Sequence, residues 1–134
     1  MDKTDSELLE TIADLHGIPE GSFNIRKNGK LMARNSTADI EIVPKKDKDG
    51  IDIIVKPGVV NKSVHIPVLL TVGDFKETVY NDFYIGEGAD VTIIAGCGIH
   101  NDACGDAEHD GVKSFYIGKT WNGVCIRRYY ACGD

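Results

Sequence analysis

A four-residue sequence that occurs twice limits the fold of this chain more than any other feature. Residues 83–86 read FYIG, and the same four residues recur at 115–118. In both copies the glycine is followed by a short polar turn and a second apolar stretch, at 91–94 and at 124–126. Short strands with glycine at their corners are typical of a β-solenoid, because each coil turns sharply and glycine tolerates the positive φ angles that such corners need. The repeat therefore predicts a mainly β fold built of stacked strands.

Alternating apolar and polar residues predict strands along most of the chain after residue 38. The predicted strands cover residues 40–44, 51–56, 64–70, 78–85, 90–95, 113–117 and 124–130. A charged hairpin turn joins the first two strands, and Pro67 predicts that the third is bent or lies at a sheet edge. An antiparallel sandwich also consists of short strands, so it stays open as an alternative to the solenoid.

The N-terminal residues carry a helical pattern instead. Residues 4–7 read TDSE, which has the form of a capping box. Apolar residues then follow at helical spacing, namely Leu8, Ile12 and Leu15. Residues 20–37, with an Asn-Gly turn signal at 28–29, are predicted to be a polar connection. The expected organisation is a short α-helix with its connection over 1–37, followed by a β core over 38–134.

Composition limits where the chain acts and what it binds. The 134 residues are the length of one domain and carry 15 basic and 21 acidic residues, a net charge of −6 that argues against general nucleic-acid binding. No apolar run approaches the ~20 residues of a membrane helix, and the polar first residues lack a secretory apolar segment. We therefore expect a cytoplasmic protein with four reduced cysteines and with neither a nucleic-acid nor a membrane partner.

The densest group of chemically active side chains lies in the acidic middle of the chain. Residues 71–110 hold nine acidic residues and one lysine. Thiolate and imidazole are ligands of zinc and iron, so the candidate metal ligands are Cys97, His100, Cys104 and His109. Their spacing differs from that of zinc fingers and ferredoxins, and a tight polar loop in which Cys97 packs as a small apolar residue is the structural alternative. A thiol hydrolase with Cys97 as nucleophile and His100 as base is a third possibility.

The nucleotide-binding motifs are incomplete. Residues 118–120 read GKT, like the end of a P-loop, but Lys113 stands where the first glycine of that motif belongs. Residues 96–98 read GCG, but Asn101 replaces the last glycine of a dinucleotide fingerprint. Neither motif therefore predicts a nucleotide-binding site.

Four longer motifs closely resemble the SufB/SufD family, the scaffold components of the SUF system for iron–sulfur cluster assembly. They are IPEGSFNIR at 18–26, VYNDFYIG at 79–86, AGCGIHN at 95–101 and HDGV at 109–112. The likeness is to the shorter archaeal- and clostridial-type members and covers most of residues 1–118. It implies a right-handed parallel β-helix with helical flanking regions. It also implies a cytosolic, non-enzymatic scaffold that works with a SufC-like ATPase and with a like subunit or a second copy of itself, and that holds an iron–sulfur cluster transiently.

The resemblance covers the first part of such a scaffold. Family members continue through more coils to a C-terminal helical region that docks the ATPase. The cysteine and histidine usually assigned to cluster building also lie in the part that this chain does not match, so the resemblance assigns no functional residue here. Beyond residues 118–119, Arg127 and Tyr129 stand where the family pattern has glutamate and histidine. The expectation is a truncated, N-terminal portion of a SufB/SufD-like scaffold.

Overall fold

The computed structural model describes residues 21–72, 75–99, 108–118 and 124–130, of which 99, 108–110 and 124–130 are described by their backbone alone. Nine β-strands lie within these ranges. They are β1 (Ser22–Lys27), β2 (Lys30–Asn35), β3 (Ile40–Pro44), β4 (Gly50–Val55), β5 (Val60–Leu70), β6 (Lys76–Ile85), β7 (Asp90–Ile99), β8 (Glu108–Ile117) and β9 (Val124–Tyr130). The described ranges contain no helix, and hence none long and apolar enough to cross a membrane. The predicted N-terminal helix falls within residues 1–20, outside the described part, and is not confirmed.

The strands form two mixed sheets that are not closed. The five-stranded sheet has the order β2-β1-β5-β7-β9, and the four-stranded sheet has the order β3-β4-β6-β8. β1 with β2 and β3 with β4 are antiparallel hairpins, whereas the other pairs are parallel. From β4 onward, successive strands alternate between the two sheets. The prediction of a mainly β fold is confirmed, and the parallel pairs exclude the all-antiparallel sandwich.

The sequence repeat lies on neighbouring strands in matching register. Phe83 on β6 pairs with Phe115 on β8, and Tyr84 pairs with Tyr116 in the same way. Both ring pairs are stacked with their centroids 4.9 Å apart, which is close to the spacing of adjacent strands. β4 continues the register on the other side, since Ile53 pairs with Phe83. The repeat therefore marks equivalent positions on successive parallel strands.

Close packing, and not a positive φ angle, requires glycine at the end of each repeat. A Cβ atom on Gly86 would lie 2.4 Å from the backbone nitrogen of Pro57, and one on Gly118 would lie 2.8 Å from that of Glu87. Neither glycine has a positive φ angle, so the expected reason for glycine is wrong at these two corners. A positive φ angle occurs two residues after Gly86, at Gly88 (φ 73°).

The core lies between the facing surfaces of the two sheets. Its members alternate along each strand because every second side chain of a strand points to the same face. The four-stranded sheet contributes the buried residues Ile40, Ile42, Ile51, Ile53, Val55, Phe83 and Ile85. The five-stranded sheet contributes Val64, Ile66, Val91, Ile93 and Ala95. Burying one such aliphatic or aromatic side chain stabilises a fold by roughly 1.5–3 kcal/mol, so this double layer dominates the stability of the described residues.

Residues 22–35 form a β-hairpin and not the predicted irregular connection. Its turn contains Asn28 and Gly29, both at positive φ angles (50° and 81°), as the tight turns of two-residue hairpins require. β1 then pairs in parallel with β5. The prediction failed because β1 and β2 carry many polar residues, two of which are buried through hydrogen bonds. Ser22 Oγ donates to the Ile40 carbonyl at 2.7 Å, and Asn24 Oδ1 accepts from Arg34 Nε at 2.7 Å.

Pro67 predicts that its strand is either bent or at a sheet edge, and the structure excludes the edge position. β5 lies between β1 and β7, with Pro67 opposite Gly96. β5 pairs with β1 at His65 and at Val68 but not at the two residues between them. Since proline has no N–H to donate, this interruption lets a central strand accommodate it.

Candidate functional site

The four predicted metal ligands occupy positions of different kinds. Cys97 lies near the end of β7, and His109 lies on β8, where its backbone pairs with Glu77 of β6. His100 and Cys104 lie outside the described residues. The part of the chain that the structure describes contains no group of three or more His, Cys, Asp or Glu side chains able to hold a metal ion. The four-residue ligand set therefore stays a prediction.

The Cys97 side chain is buried in a small apolar cluster. It packs with Val68 and Leu70 of β5 and with Phe75, which precedes β6. Burial raises the pKa of the Cys97 thiol to about 11, and the negative charge of Glu77 adds to this effect. The thiol is therefore protonated at neutral pH. A nucleophilic cysteine needs a lowered pKa, so this environment argues against the hydrolase alternative.

A buried ion pair that the sequence did not predict lies close to this thiol. Arg26 Nη2 of β1 donates to Glu77 Oε2 of β6 at 2.8 Å, and the two side chains are 14% and 5% exposed. The same Arg26 nitrogen donates to the Gly29 carbonyl at 3.2 Å. The ion pair links the two sheets across 51 sequence positions, which is why no local pattern indicates it.

The hairpin turn of β1 and β2 is fixed to the same end of the sheets. The Asn28 side chain donates to Thr71 Oγ1 at 3.0 Å and accepts from the Thr71 backbone N–H at 2.9 Å. Phe75 lies so close to Gly29 that a Cβ atom on that glycine would be 2.7 Å from its ring. We call this group of Arg26, Asn28, Phe75, Glu77 and Cys97 the Cys97 end. It combines a protonated thiol, a paired carboxylate and an ordered turn where β7 leads into residues 100–107.

A second ionic group lies on the outer face of the four-stranded sheet. Lys45 Nζ donates to Asp52 Oδ1 at 2.6 Å and to Asp82 Oδ2 at 2.8 Å, and the lysine side chain is only 8% exposed. The hydrogen bond to Asp52, followed by that to Asp82, raises the pKa of Lys45 well above its usual range. The lysine therefore stays charged at every physiological pH and holds the β3–β4 hairpin against β6.

A small cavity is lined entirely by described residues. One cavity of about 90 Å³ lies between the start of β1 and β5. Its lining consists of Gly21, Ser22, Thr37, Asp39, Ile40, Lys62 and Ser63. Ligand pockets usually measure roughly 300–1,000 Å³, so this cavity has room for a few water molecules and not for a substrate.

Comparisons of the chain with protein-family models, with curated proteins and with solved structures found no match. Function must therefore be inferred from the residues and the geometry of the chain itself.

Proposed function

We propose that this chain is part of a β-helix scaffold that supports SUF-type iron–sulfur cluster assembly, together with a SufC-like ATPase and a like subunit. The proposal rests on the parallel pairing of strands that lie about 30 residues apart in the sequence. Gly50 on β4 pairs with Tyr80 on β6, and Tyr80 pairs with Val112 on β8. In the other sheet Val64 pairs with Ile93. A solenoid with roughly 30 residues per coil and one strand in each sheet accounts for these offsets and for the alternation between sheets.

Three of the motifs that resemble the SufB/SufD family overlap described strands. VYNDFYIG covers the end of β6 and the glycine after it, AGCGIHN begins in the last part of β7, and HDGV lies at the beginning of β8. Three of the four motifs therefore fall on consecutive strands. These strands belong to the parallel pairs that a coil architecture requires.

The space between the two sheets is filled by side chains, which favours a scaffold over an enzyme. Side chains occupy the space between the sheets, and the cavity beside β1 is too small for a substrate. A scaffold acts through its surfaces and through the ligands that it offers to a cluster, and the protein itself would perform no bond-breaking step. We therefore propose a non-enzymatic role.

An iron–sulfur cluster would be cargo of this scaffold. The Cys97 end and the residues that follow it supply thiol and imidazole groups of the type that clusters prefer. Because the Cys97 thiol is buried and holds its proton at neutral pH, a cluster would have to displace that proton. This cost lowers the affinity of the site for a cluster.

Co-purification tests the scaffold role. The tagged chain is co-expressed with the SufC-like ATPase of the same genome, and in parallel with an unrelated transporter ATPase subunit as the matched control. We expect retention of the first ATPase and not of the second. A second form of the chain, extended by the C-terminal helical region of a SufB/SufD protein, is tested beside it. Retention by the extended form alone would place the ATPase contact in that region and keep the scaffold role, whereas retention by neither form would overturn the proposal.

Anaerobic reconstitution with ferrous iron and sulfide tests the cargo. The wild-type chain is compared with Cys97→Ser, and Cys125→Ser serves as the matched control on β9. We expect visible absorption and bound iron that are lost in Cys97→Ser and kept in Cys125→Ser. Zinc bound after purification and lost with Cys97→Ser would instead favour a small metal-binding module made by Cys97, His100, Cys104 and His109. Equal iron content in both variants would remove Cys97 from the proposal.

A further inference from the structure

The turn of the β1–β2 hairpin consists of a chemically labile pair of residues, Asn28 and Gly29. Asparagine is thermolabile in proteins, and it deamidates most readily before glycine, which has no side chain to hinder the attacking backbone nitrogen. In this reaction the nitrogen of Gly29 attacks Cγ of Asn28, the bond from Cγ to Nδ2 breaks, and ammonia leaves. Water then opens the cyclic imide at either carbonyl, which gives aspartate or isoaspartate at position 28.

The folded chain holds both polar atoms of the Asn28 side chain. Asn28 Nδ2 donates to Thr71 Oγ1 at 3.0 Å, and Asn28 Oδ1 accepts from the Thr71 backbone N–H at 2.9 Å. The backbone of the turn is held as well, because the Asn28 N–H donates to the Leu69 carbonyl at 2.9 Å. Three hydrogen bonds therefore fix Asn28 to the end of β5.

We propose that Asn28 is a deamidation site that Thr71 protects, so that it reacts when the Cys97 end opens and not in the closed fold. The two side-chain hydrogen bonds fix the plane of the Asn28 amide, and rotation of Cγ toward the next backbone nitrogen has to break them. Local opening of a fold occurs with its own equilibrium constant. The rate of deamidation should therefore follow the population of the open state.

Deamidation at this position would change the surroundings of the Cys97 thiol. Isoaspartate adds a carbon atom to the backbone of the turn, whereas Asn28 and Gly29 need positive φ angles to form it. Gly29 lies against the ring of Phe75, and Phe75 packs on Cys97. We therefore expect the modified turn to loosen the cover over the thiol, and the change is irreversible because ammonia is lost.

Incubation of the full chain at mildly alkaline pH tests the protection, with peptide mapping by mass spectrometry as the readout. Residue 28 should deamidate at least roughly tenfold more slowly in the folded chain than in urea. Thr71→Val removes the acceptor of Asn28 Nδ2 and keeps the shape of the side chain. It should accelerate the reaction roughly fivefold, which is the effect of one lost hydrogen bond on an opening equilibrium.

The matched control is Thr37→Val at the other end of the hairpin. It also removes a threonine hydroxyl, one that accepts from the Ile40 N–H at 3.2 Å, and it should leave the rate at residue 28 unchanged. The second Asn-Gly sequence, at 122–123 and outside the described residues, gives an internal reference in every sample. Circular dichroism confirms that each variant is folded.

The outcomes separate protection by Thr71 from general effects. Equal rates at residue 28 in the folded chain and in urea would overturn the proposal, and this comparison needs no variant. So would a wild-type rate in Thr71→Val, or equal acceleration by both threonine variants. The inference rests on the hairpin turn and not on the iron–sulfur role, so a negative ATPase result would leave it standing.

Alkylation tests the effect on the thiol. Chains modified at residue 28 carry an additional negative charge and can be separated from unmodified chains by ion exchange. Cys97 should be alkylated faster in the modified chains, as measured on its own peptide. Equal alkylation in the two fractions would contradict the link between the turn and the thiol.

Discussion

At the scale of single residues, Gly86 shows how closely two strand connections pack against each other. A Cβ atom there would meet the backbone of residues 56 and 57, which cannot rotate away as a flexible side chain can. We expect Gly86→Ala to lower the free energy of unfolding by roughly 1–3 kcal/mol through overpacking. Gly88→Ala is the comparison, because Gly88 has open space but a positive φ angle, and its cost should be about 1 kcal/mol. Urea unfolding of both variants measures the difference, and a larger loss for Gly88→Ala would contradict the packing explanation.

The Cys97 thiol gives a second residue-level prediction, in the alkaline range. Its pKa is raised from an ordinary value of about 9 to about 11 by burial and by Glu77. The unfolded chain therefore loses this proton first as the pH rises, so the stabilisation is present below pH 9 and is lost between pH 9 and 11. The free energy of unfolding should fall by no more than ~1.4 kcal/mol per pH unit from this thiol. Urea unfolding of the wild type and Cys97→Ala over this range isolates the effect, since other groups titrate in both. If the free energies of unfolding of the two proteins change with pH in parallel, the pKa of Cys97 is not raised in the folded protein.

At the scale of elements, the Lys45 group joins the β3–β4 hairpin to β6. Lys45→Met would leave the Asp52 and Asp82 carboxylates close together without their cation, and we expect a loss of roughly 1–3 kcal/mol because both are partly solvated. Lys46→Met, at the neighbouring exposed position, should have little effect. Replacing both aspartates by asparagine in the Lys45→Met background should recover part of the loss. Thermal unfolding compares the four proteins, and an undiminished loss in the triple variant would mean that packing of the lysine, and not charge, is responsible.

The elements also show how far sequence patterns reach in this chain. The strands around Ile53 and Phe83 were predictable because apolar residues alternate there. The FYIG repeat predicted stacked strands, and the structure places its two copies in register. β1 and β2 were missed because Ser22 and Asn24 are buried by hydrogen bonds to distant residues, which leave no apolar period. Cys97 was identified as a candidate from its neighbours in sequence. Glu77, whose charge acts on Cys97, was not identified. The two residues are brought together by packing between strands, and the ion pair that holds Glu77 comes from the distant Arg26.

At the scale of the whole molecule, strand order predicts a gradient of stability. Interior strands such as β5 and β6 have hydrogen-bonded neighbours on both sides, whereas β3 and β8 have a described neighbour on one side. Amide exchange occurs through local opening, which is easiest at edges. We therefore expect the slowest exchange in β5 and β6 and faster exchange in β3 and β8, measured for individual peptides by mass spectrometry in dilute solution. Equal protection of interior and edge strands would contradict this order.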